Sequence, residues 1–526
     1  MTSGIPLGVF RRSARTQSLE GPDPRAAVGP RRRASGPHSP LAGWVWVIAI
    51  AQLTALLATS TRYGYDRDEL YFTVAGGHLA WGYPDQPPIV PLLCSAMDKI
   101  APGSLTMLRL PSALAAAATT VLAALIAREA GGARHAQIIT AACTAVSAFA
   151  LATGHFVTTT TFDLLSTTAL LWLLVRAMMR RTGVPLLLAG VVAGVGIEAK
   201  PQVGIVALVA LISVAAAGPR WPLRSRWLGA GVAAAVVLAA PYAIWQARHG
   251  WPQVTVAGNI GGSAEGGRAG FVPFQLVMVS PLLVPVWIAG LVAPWRRAAL
   301  RPLRFLPITY AVLAVAYMVG NGKAYYLASL YPALLGLGAV AVADWTTKAR
   351  ERLRLGVVAA AVAVSAAVSA YIALPLLPQA SLQGSAAMAI NPDLGEAVGW
   401  PQFIEAVSTA WRSVPVADRA STVIFTQNYG EAAAIDLLGR AAGLPGAYSG
   451  HNAFSEWGPP PANATQVLVI GFDGPADARP QFTHCSERAV VDNHVGLDNQ
   501  EQGLPIMLCR PAEPWPSLWP ALTHYN

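Results

Sequence analysis

The chain has 526 residues, of which only 12% are charged and 54% hydrophobic, with a mean hydropathy of +0.45 and a formal net charge of +10. Ordinary soluble domains carry roughly 25% charged residues, so this balance excludes a soluble globular protein and points to repeated crossings of a bilayer. The excess of Arg sits in short loops between apolar spans, where it sets orientation, which argues against a nucleic-acid partner.

Residues 1–40 hold seven Arg and two acids among Pro and Gly, without apolar periodicity, and read as a disordered basic cytoplasmic tail. Residues 41–59 form a first span of about the 20 residues a bilayer requires. A 40-residue leader is too long for a cleaved signal peptide, so this span is read as a retained helix. Further apolar spans follow at 107–127, 136–153, 162–178, 184–199, 202–217, 227–245, 273–293, 304–320, 324–343 and 355–374, eleven in all. The expected class is therefore a polytopic α-helical membrane protein, with residues 41–374 as its transmembrane domain.

With the tail inside, every inner loop is basic: Arg128 and Arg134, then Arg176, Arg180 and Arg181, then Arg220, Arg224 and Arg226, then Arg296, Arg297, Arg301 and Arg304, then Lys348, Arg350, Arg352 and Arg354. The same parity collects the remaining charges on the outer face. These are the first outer loop, residues 60–106, then His155 to Asp163, Glu198 to Pro201, the loop at Arg248 and His249, the Gly-rich run 258–270, and Asn321 to Tyr326. After residue 375 the pattern changes to a helix at 393–411, a strand at 422–426, a helix at 430–439 and a strand at 465–472. Such alternation suggests a small extracytoplasmic α/β domain over 375–526. An exported compartment permits a disulfide between Cys485 and Cys509, with two buried free thiols as the alternative; Cys94 and Cys143 read as packing residues.

The densest polar cluster is YGYDRDELYFTVAGGHLAWGYPDQPPIVP, residues 63–91, centred on Asp68 and Glu69. Acids beside a bilayer are costly unless they face water, a cation or a substrate. They read either as first-turn acids of a short helix or as a general base that takes a proton from an attacking hydroxyl. Asp66 and Asp68 also spell D-x-D, a pattern that holds a divalent metal in other contexts; no other cofactor is implied. Asp163 is a first-turn acid or a second acid of the site. Lys200 and Lys323 either snorkel to the interface or bind an anionic phosphate, with Tyr325 as a hydroxyl donor and Arg248 and His249 as weaker candidates. No HExxH or CxxC spacing supports zinc.

YGYDRDELYF followed by HLAWGYPDQPPIVPLL resembles the first outer loop of the GT-C membrane glycosyltransferases, in the branch related to dolichyl-phosphate-mannose protein mannosyltransferases and lipid A aminoarabinose transferases. FDLLSTTALLW, GIEAKPQVG and KAYYLASLYPALLGLGA are similar to further segments of that branch, and NYGEAAAIDLL, AYSGHN and DNQEQGLPIMLCR to the ends of its bacterial members. The resemblance implies a sugar donor carried on polyprenyl phosphate, a protein, glycan or lipid acceptor, and inverting transfer at the outer face of the plasma membrane. It assigns the base to Asp68 with Glu69 in support, the second acid to Asp163, and the donor phosphate to Lys200 and Lys323. GIEAKPQVG departs from the T-K-G or N-K-Y pattern of many relatives around Lys200. The rival class is a secondary transporter or lipid flippase, which internal repeats and broken helices would mark.

Overall fold

A computed structural model describes residues 40–262, 267–348, 350–479 and 481–526; apart from Pro40, the basic tail expected at 1–40 lies outside the described residues. In chain order the helices of the bundle are α1 (Gly43–Thr59), α2 (Arg67–Ala75), α3 (Ile89–Ile100), α4 (Leu105–Glu129), α5 (Arg134–Ala145), α6 (Ala148–His155), α7 (Thr159–Arg180) and α8 (Val184–Ile197). They continue with α9 (Gln202–Ala217), α10 (Arg226–Arg248), α11 (Pro252–Gly262), α12 (Gly267–Val279), α13 (Val284–Arg296), α14 (Phe305–Val319), α15 (Tyr331–Thr346) and α16 (Glu351–Ala373).

Among the described residues, five helical segments are long and apolar enough to cross a membrane, and two bent helix pairs bring the number to seven. Four shorter apolar helices, α1, α8, α9 and α14, occupy the remaining expected spans. The chain is a multi-pass helical membrane protein. What periodicity does not reveal is the bending. The span expected at 136–153 is α5 and α6, at 57° to each other, and the span at 273–293 is α12 and α13, broken by 82°. Ser280 sits at the second break with φ 101°, ahead of Pro281, and its hydroxyl meets that of Ser365 on α16 at 2.8 Å. A proline that cannot donate and a residue in the left-handed region end a helix, and the neighbouring hydroxyl supplies a polar partner at the break.

Close helix approach rests on glycine. A Cβ on Gly338 of α15 would lie 1.8 Å from the Val286 carbonyl oxygen of α13, and one on Gly290 would lie 2.0 Å from that of Leu334. Gly190 and Gly231 make the equivalent contact between α8 and α10, where a Cβ on Gly190 would meet the Gly231 oxygen at 2.0 Å. Small residues let backbones meet where lipid supplies no hydrophobic drive. At the arginine-rich end, Glu129 of α4 is fully buried against Arg176 and Arg180 of α7, at 3.0 and 2.7 Å, and Arg297 pairs with Asp344 at 2.6 Å. Loops of the same expected parity thus meet at one end of the bundle.

Beyond α16 come α17 (Ala386–Ile390), α18 (Asp393–Glu396), α19 (Trp400–Ser413), α20 (Tyr429–Leu438), α21 (Ala453–Glu456) and α22 (Trp515–Leu522). The helix expected over 393–411 is split, because Gly399 adopts φ 103° and α19 restarts at Trp400. The strands are β1 (Thr422–Thr426), β2 (Ala447–Ser449), β3 (Gln466–Ile470), β4 (Phe482–Val490) and β5 (Pro505–Pro511), in the order β2-β1-β3-β5-β4. The first three are parallel; β5 and β4 are antiparallel additions. Cys485 on β4 and Cys509 on β5 form a disulfide, and Cys94 and Cys143 are free and buried.

The sheet domain does not stand apart. Leu70, Tyr71, Phe72, Val90 and Cys94 of the first loop lie in one hydrophobic core with Trp400, Phe403, Val407, Ile424, Ile435 and Leu468. The backbone joins too: Gly64 N–H donates to Ala397 O at 2.8 Å, and Trp400 Nε1 to Tyr65 O at 2.9 Å. The first loop is therefore the floor on which the C-terminal domain is seated.

Candidate active site

The short helix α2 places the acids. Asp66 is its N-cap, accepting from Asp68 N–H at 2.9 Å, while Glu69 Oε2 reaches back to Asp66 N–H at 2.9 Å, the reciprocal pattern of a capping box. Burial, then the Asp68 carboxylate, pushes Asp66 well above the usual carboxylate range. Its Oδ1 is committed to the helix start, and among the described residues no three His, Cys, Asp and Glu side chains assemble as a metal group.

Glu69 is also committed. It is fully buried and paired bidentately with Arg109 of α4, Nε to Oε1 at 2.9 Å and Nη2 to Oε2 at 2.7 Å, and its Oε1 accepts Val157 N–H at 3.0 Å. Arg109 Nη1 and Nη2 donate to Ser60 O at 2.6 Å and Gly64 O at 2.8 Å, and its guanidinium stacks 4.9 Å from the Phe156 ring. Glu69 is thus a clamp that ties the first loop to α4, and the geometry leaves it no face toward a substrate. Arg109 went unread in the sequence, although a lone arginine within an apolar span is a signal by itself.

Asp68 differs. It is half-buried and lines a cavity of about 310 Å³. Its Oδ1 accepts the Tyr429 hydroxyl at 2.8 Å, and among the described residues its Oδ2 carries no hydrogen bond. The cavity lining is mixed. Its polar members include Asp66, Arg67, Asp68, Thr158, Thr159, Thr160, Lys323, Tyr325, Asn391, Asp393 and Glu396; its apolar members include Ala148, Phe149 and Ala152 of α6, Phe274, Val277 and Met278 of α12, and Ile372 and Ala373 of α16. Both bent helix pairs contribute apolar residues to it, so the breaks that periodicity missed shape the chamber.

Lys323 lines this cavity with its Nζ 5.9 Å from the Tyr325 ring centre. Lys200, in the turn between α8 and α9, donates to Thr160 Oγ1 at 2.7 Å and lies 5.5 Å from the rings of Tyr325 and Tyr326. Burial lowers Lys200 to about 8, opposed first by Asp163, with Lys323 and Asp68 close enough to contribute. Asp163 is buried within α7, where Thr167 Oγ1 donates to it at 2.9 Å; Thr158, not Asp163, caps that helix. Arg248 ends α10 exposed and lines no part of the cavity, and His249 stacks on Trp245 at 3.9 Å. The cavity therefore brings together Asp68, Lys323 and Tyr325; Lys200 reaches its lining through Thr160, with Asp163 close to Lys200, and Arg248 is left out.

Tyr429, Asn391, Asp393 and Glu396 come from the C-terminal domain, whose part in the site was not evident from its sequence. Nearby, Tyr71 donates to Asp85 Oδ1 at 2.7 Å, and burial pushes Asp85 up to about 7.

Solved structures share this overall fold. ArnT from Cupriavidus metallidurans in the apo state superposes with a TM-score of 0.58 at 15% identity, covering 90% of this chain and 98% of that one. The chain has the GT-C fold. ArnT bound to undecaprenyl phosphate gives a TM-score of 0.57 at 15% identity, covering 89% of this chain and 98% of ArnT. The archaeal oligosaccharyltransferase AglB from Archaeoglobus fulgidus, in complex with an inhibitory peptide and a dolichol-phosphate, gives 0.51 at 14% identity, over 81% of this chain and 69% of AglB. Residues 85–245 of this chain also match the dolichyl-phosphate-mannose-protein mannosyltransferase family. No curated protein sequence matches it.

Proposed function

We propose that the chain is a membrane glycosyltransferase that moves a sugar from a polyprenyl-phosphate donor to a hydroxyl acceptor. The observation that carries this reading is the mixed lining of the cavity: a half-buried carboxylate and a cation together with apolar side chains from the bent spans. Such a chamber suits a ligand whose charged head must leave the bilayer while its hydrocarbon chain stays in it. Undecaprenyl phosphate and dolichol phosphate, bound by the structural neighbours, are ligands of this kind.

In this reading Asp68 Oδ2 takes the proton from the acceptor hydroxyl as its oxygen attacks the anomeric carbon. The bond from that carbon to the phosphate oxygen breaks, and attack from the opposite face inverts the centre. Lys323, with Lys200 and Tyr325 beside it, stabilises the departing phosphate, whose charge grows as the bond breaks. No step requires a metal. The arginine-rich loops support a reading with the cavity on the outer face of the plasma membrane, the N-terminus inside and residues 375–526 outside.

The test uses purified protein in lipid nanodiscs, a panel of synthetic polyprenyl-phosphate pentoses and hexoses, and an envelope fraction as acceptor source. Release of polyprenyl phosphate is read, which is independent of acceptor identity. Asp68→Asn is expected to lose roughly 10²- to 10⁴-fold in rate; an undiminished rate overturns the base assignment. Bent helix pairs also occur in secondary transporters. Uptake of labelled solute into vesicles, with no donor cleaved, would favour that class.

A further inference from the structure

The N-terminal turn of α20 lies against that of α2. A Cβ on Gly430 would sit only 2.9 Å from Arg67 Cβ, so the two turns are in direct contact. Across this contact, and across 361 residues of chain, the Tyr429 hydroxyl donates to Asp68 Oδ1 at 2.8 Å. Tyr429 is itself held on several sides. Its ring packs 4.6 Å from that of Tyr71 and 4.7 Å from that of His451, its backbone N–H donates to His451 Nδ1 at 3.4 Å, and Asn428 caps the helix by accepting Gly430 N–H at 2.7 Å. The charged groups around the pair are Arg67 and Asp66 of α2, Asp85 of the first loop and Lys200 of the turn between α8 and α9, while burial keeps His451 neutral, down at about 3. Burial and the Asp68 charge push the Tyr429 phenol well above its usual range, so it stays a donor.

We propose that Tyr429 is a positioning residue for the transfer reaction: the C-terminal domain supplies the O–H that fixes one oxygen of Asp68 and leaves the other for the acceptor hydroxyl. This rests on Asp68 being the base. A donor bonded to one oxygen of a carboxylate fixes its rotamer and aims the other, so its loss slows proton transfer without touching donor binding.

Tyr429→Phe keeps the ring packing and removes only the O–H. With a polyprenyl-phosphate sugar that the wild type cleaves, the variant should lose about tenfold in kcat, from one hydrogen bond to a charged group, with KM for the donor unchanged. In the Asp68→Asn background the same change should add nothing. An unaltered kcat, or a full additional loss on top of Asp68→Asn, overturns the proposal. If Asp68→Asn keeps the wild-type rate, the base reading fails and this one with it. If Asp68→Asn is inactive while Tyr429→Phe matches the wild type, only the positioning role fails. Should Tyr429→Phe melt early, Tyr429→Ala assayed with added phenol or added benzene separates the O–H from the filled space. Recovery with phenol alone supports the proposal; equal response to both, or to neither, overturns it.

Discussion

The acid pair of the first loop divides its labour by burial. Glu69, with no exposed surface and two bonds to Arg109, holds the loop to α4, while Asp68 one residue away keeps an open oxygen in the cavity. Removing one partner of a buried pair strands the other charge, so Arg109→Met should cost about 3–5 kcal/mol of stability in detergent unfolding, and the Glu69→Met/Arg109→Met double variant should recover much of it. Equal losses in single and double variants would contradict a clamp. Glu431, at the start of α20, offers a pH test. Burial raises it from 4.5 to about 8, and its Oε2 is buried without a hydrogen bond. A raised carboxyl binds its proton more tightly folded than unfolded, so its contribution to stability is complete below about pH 4.5, declines as pH rises, and is lost above about 8. The wild-type melting temperature should therefore fall between pH 5 and pH 9 more steeply than that of Glu431→Gln; parallel curves would show that Glu431 does not titrate in this way.

At the scale of elements, the positions of the spans were legible and their shapes were not. Hydropathy marks where a chain is apolar, and all eleven expected spans correspond to helices or bent helix pairs. The 82° break depends on one residue in the left-handed region before a proline and on a hydroxyl from α16, a local conformation and a distant partner that composition does not encode. The strands β1 and β3 were legible as buried apolar runs, whereas β4, mostly exposed and polar, was not. The close helix contacts yield a paired prediction. Gly338→Val, at the crossing of α13 and α15, should lower the melting temperature sharply and reduce yield, whereas Gly229→Val on α10, where a Cβ meets nothing within 4 Å, should be tolerated. Equal behaviour of the two would mean that the crossing is looser than its backbone distances indicate.

For the molecule as a whole, the candidate site was half legible. Asp68, Lys323 and Tyr325 stand out as polar residues at the ends of apolar spans, and the cavity unites them. Tyr429 and Glu396 could not be placed, because a sequence does not show which surface of a second domain will seat on the first loop. That seating predicts that deleting residues 375–526 leaves Leu70, Tyr71, Phe72 and Val90 without their partners. The truncated chain should expose residues 63–91 to added protease and release no polyprenyl phosphate, while the spans still insert. Protection equal to that of the full chain would show the loop folds alone.

The shared core also has a consequence in time. Asp68 leaves the ribosome 361 residues before Tyr429, and at about 5–20 residues per second the interval is on the order of tens of seconds. Through that interval the spans are inserted one after another, yet the cavity lacks the wall that the last third of the chain provides. The first loop is thus in the bilayer long before its partner. Because Tyr429 sits on α20, the carboxylate meets its hydroxyl only after the C-terminal domain has folded against the loop, so this contact is among the last to form.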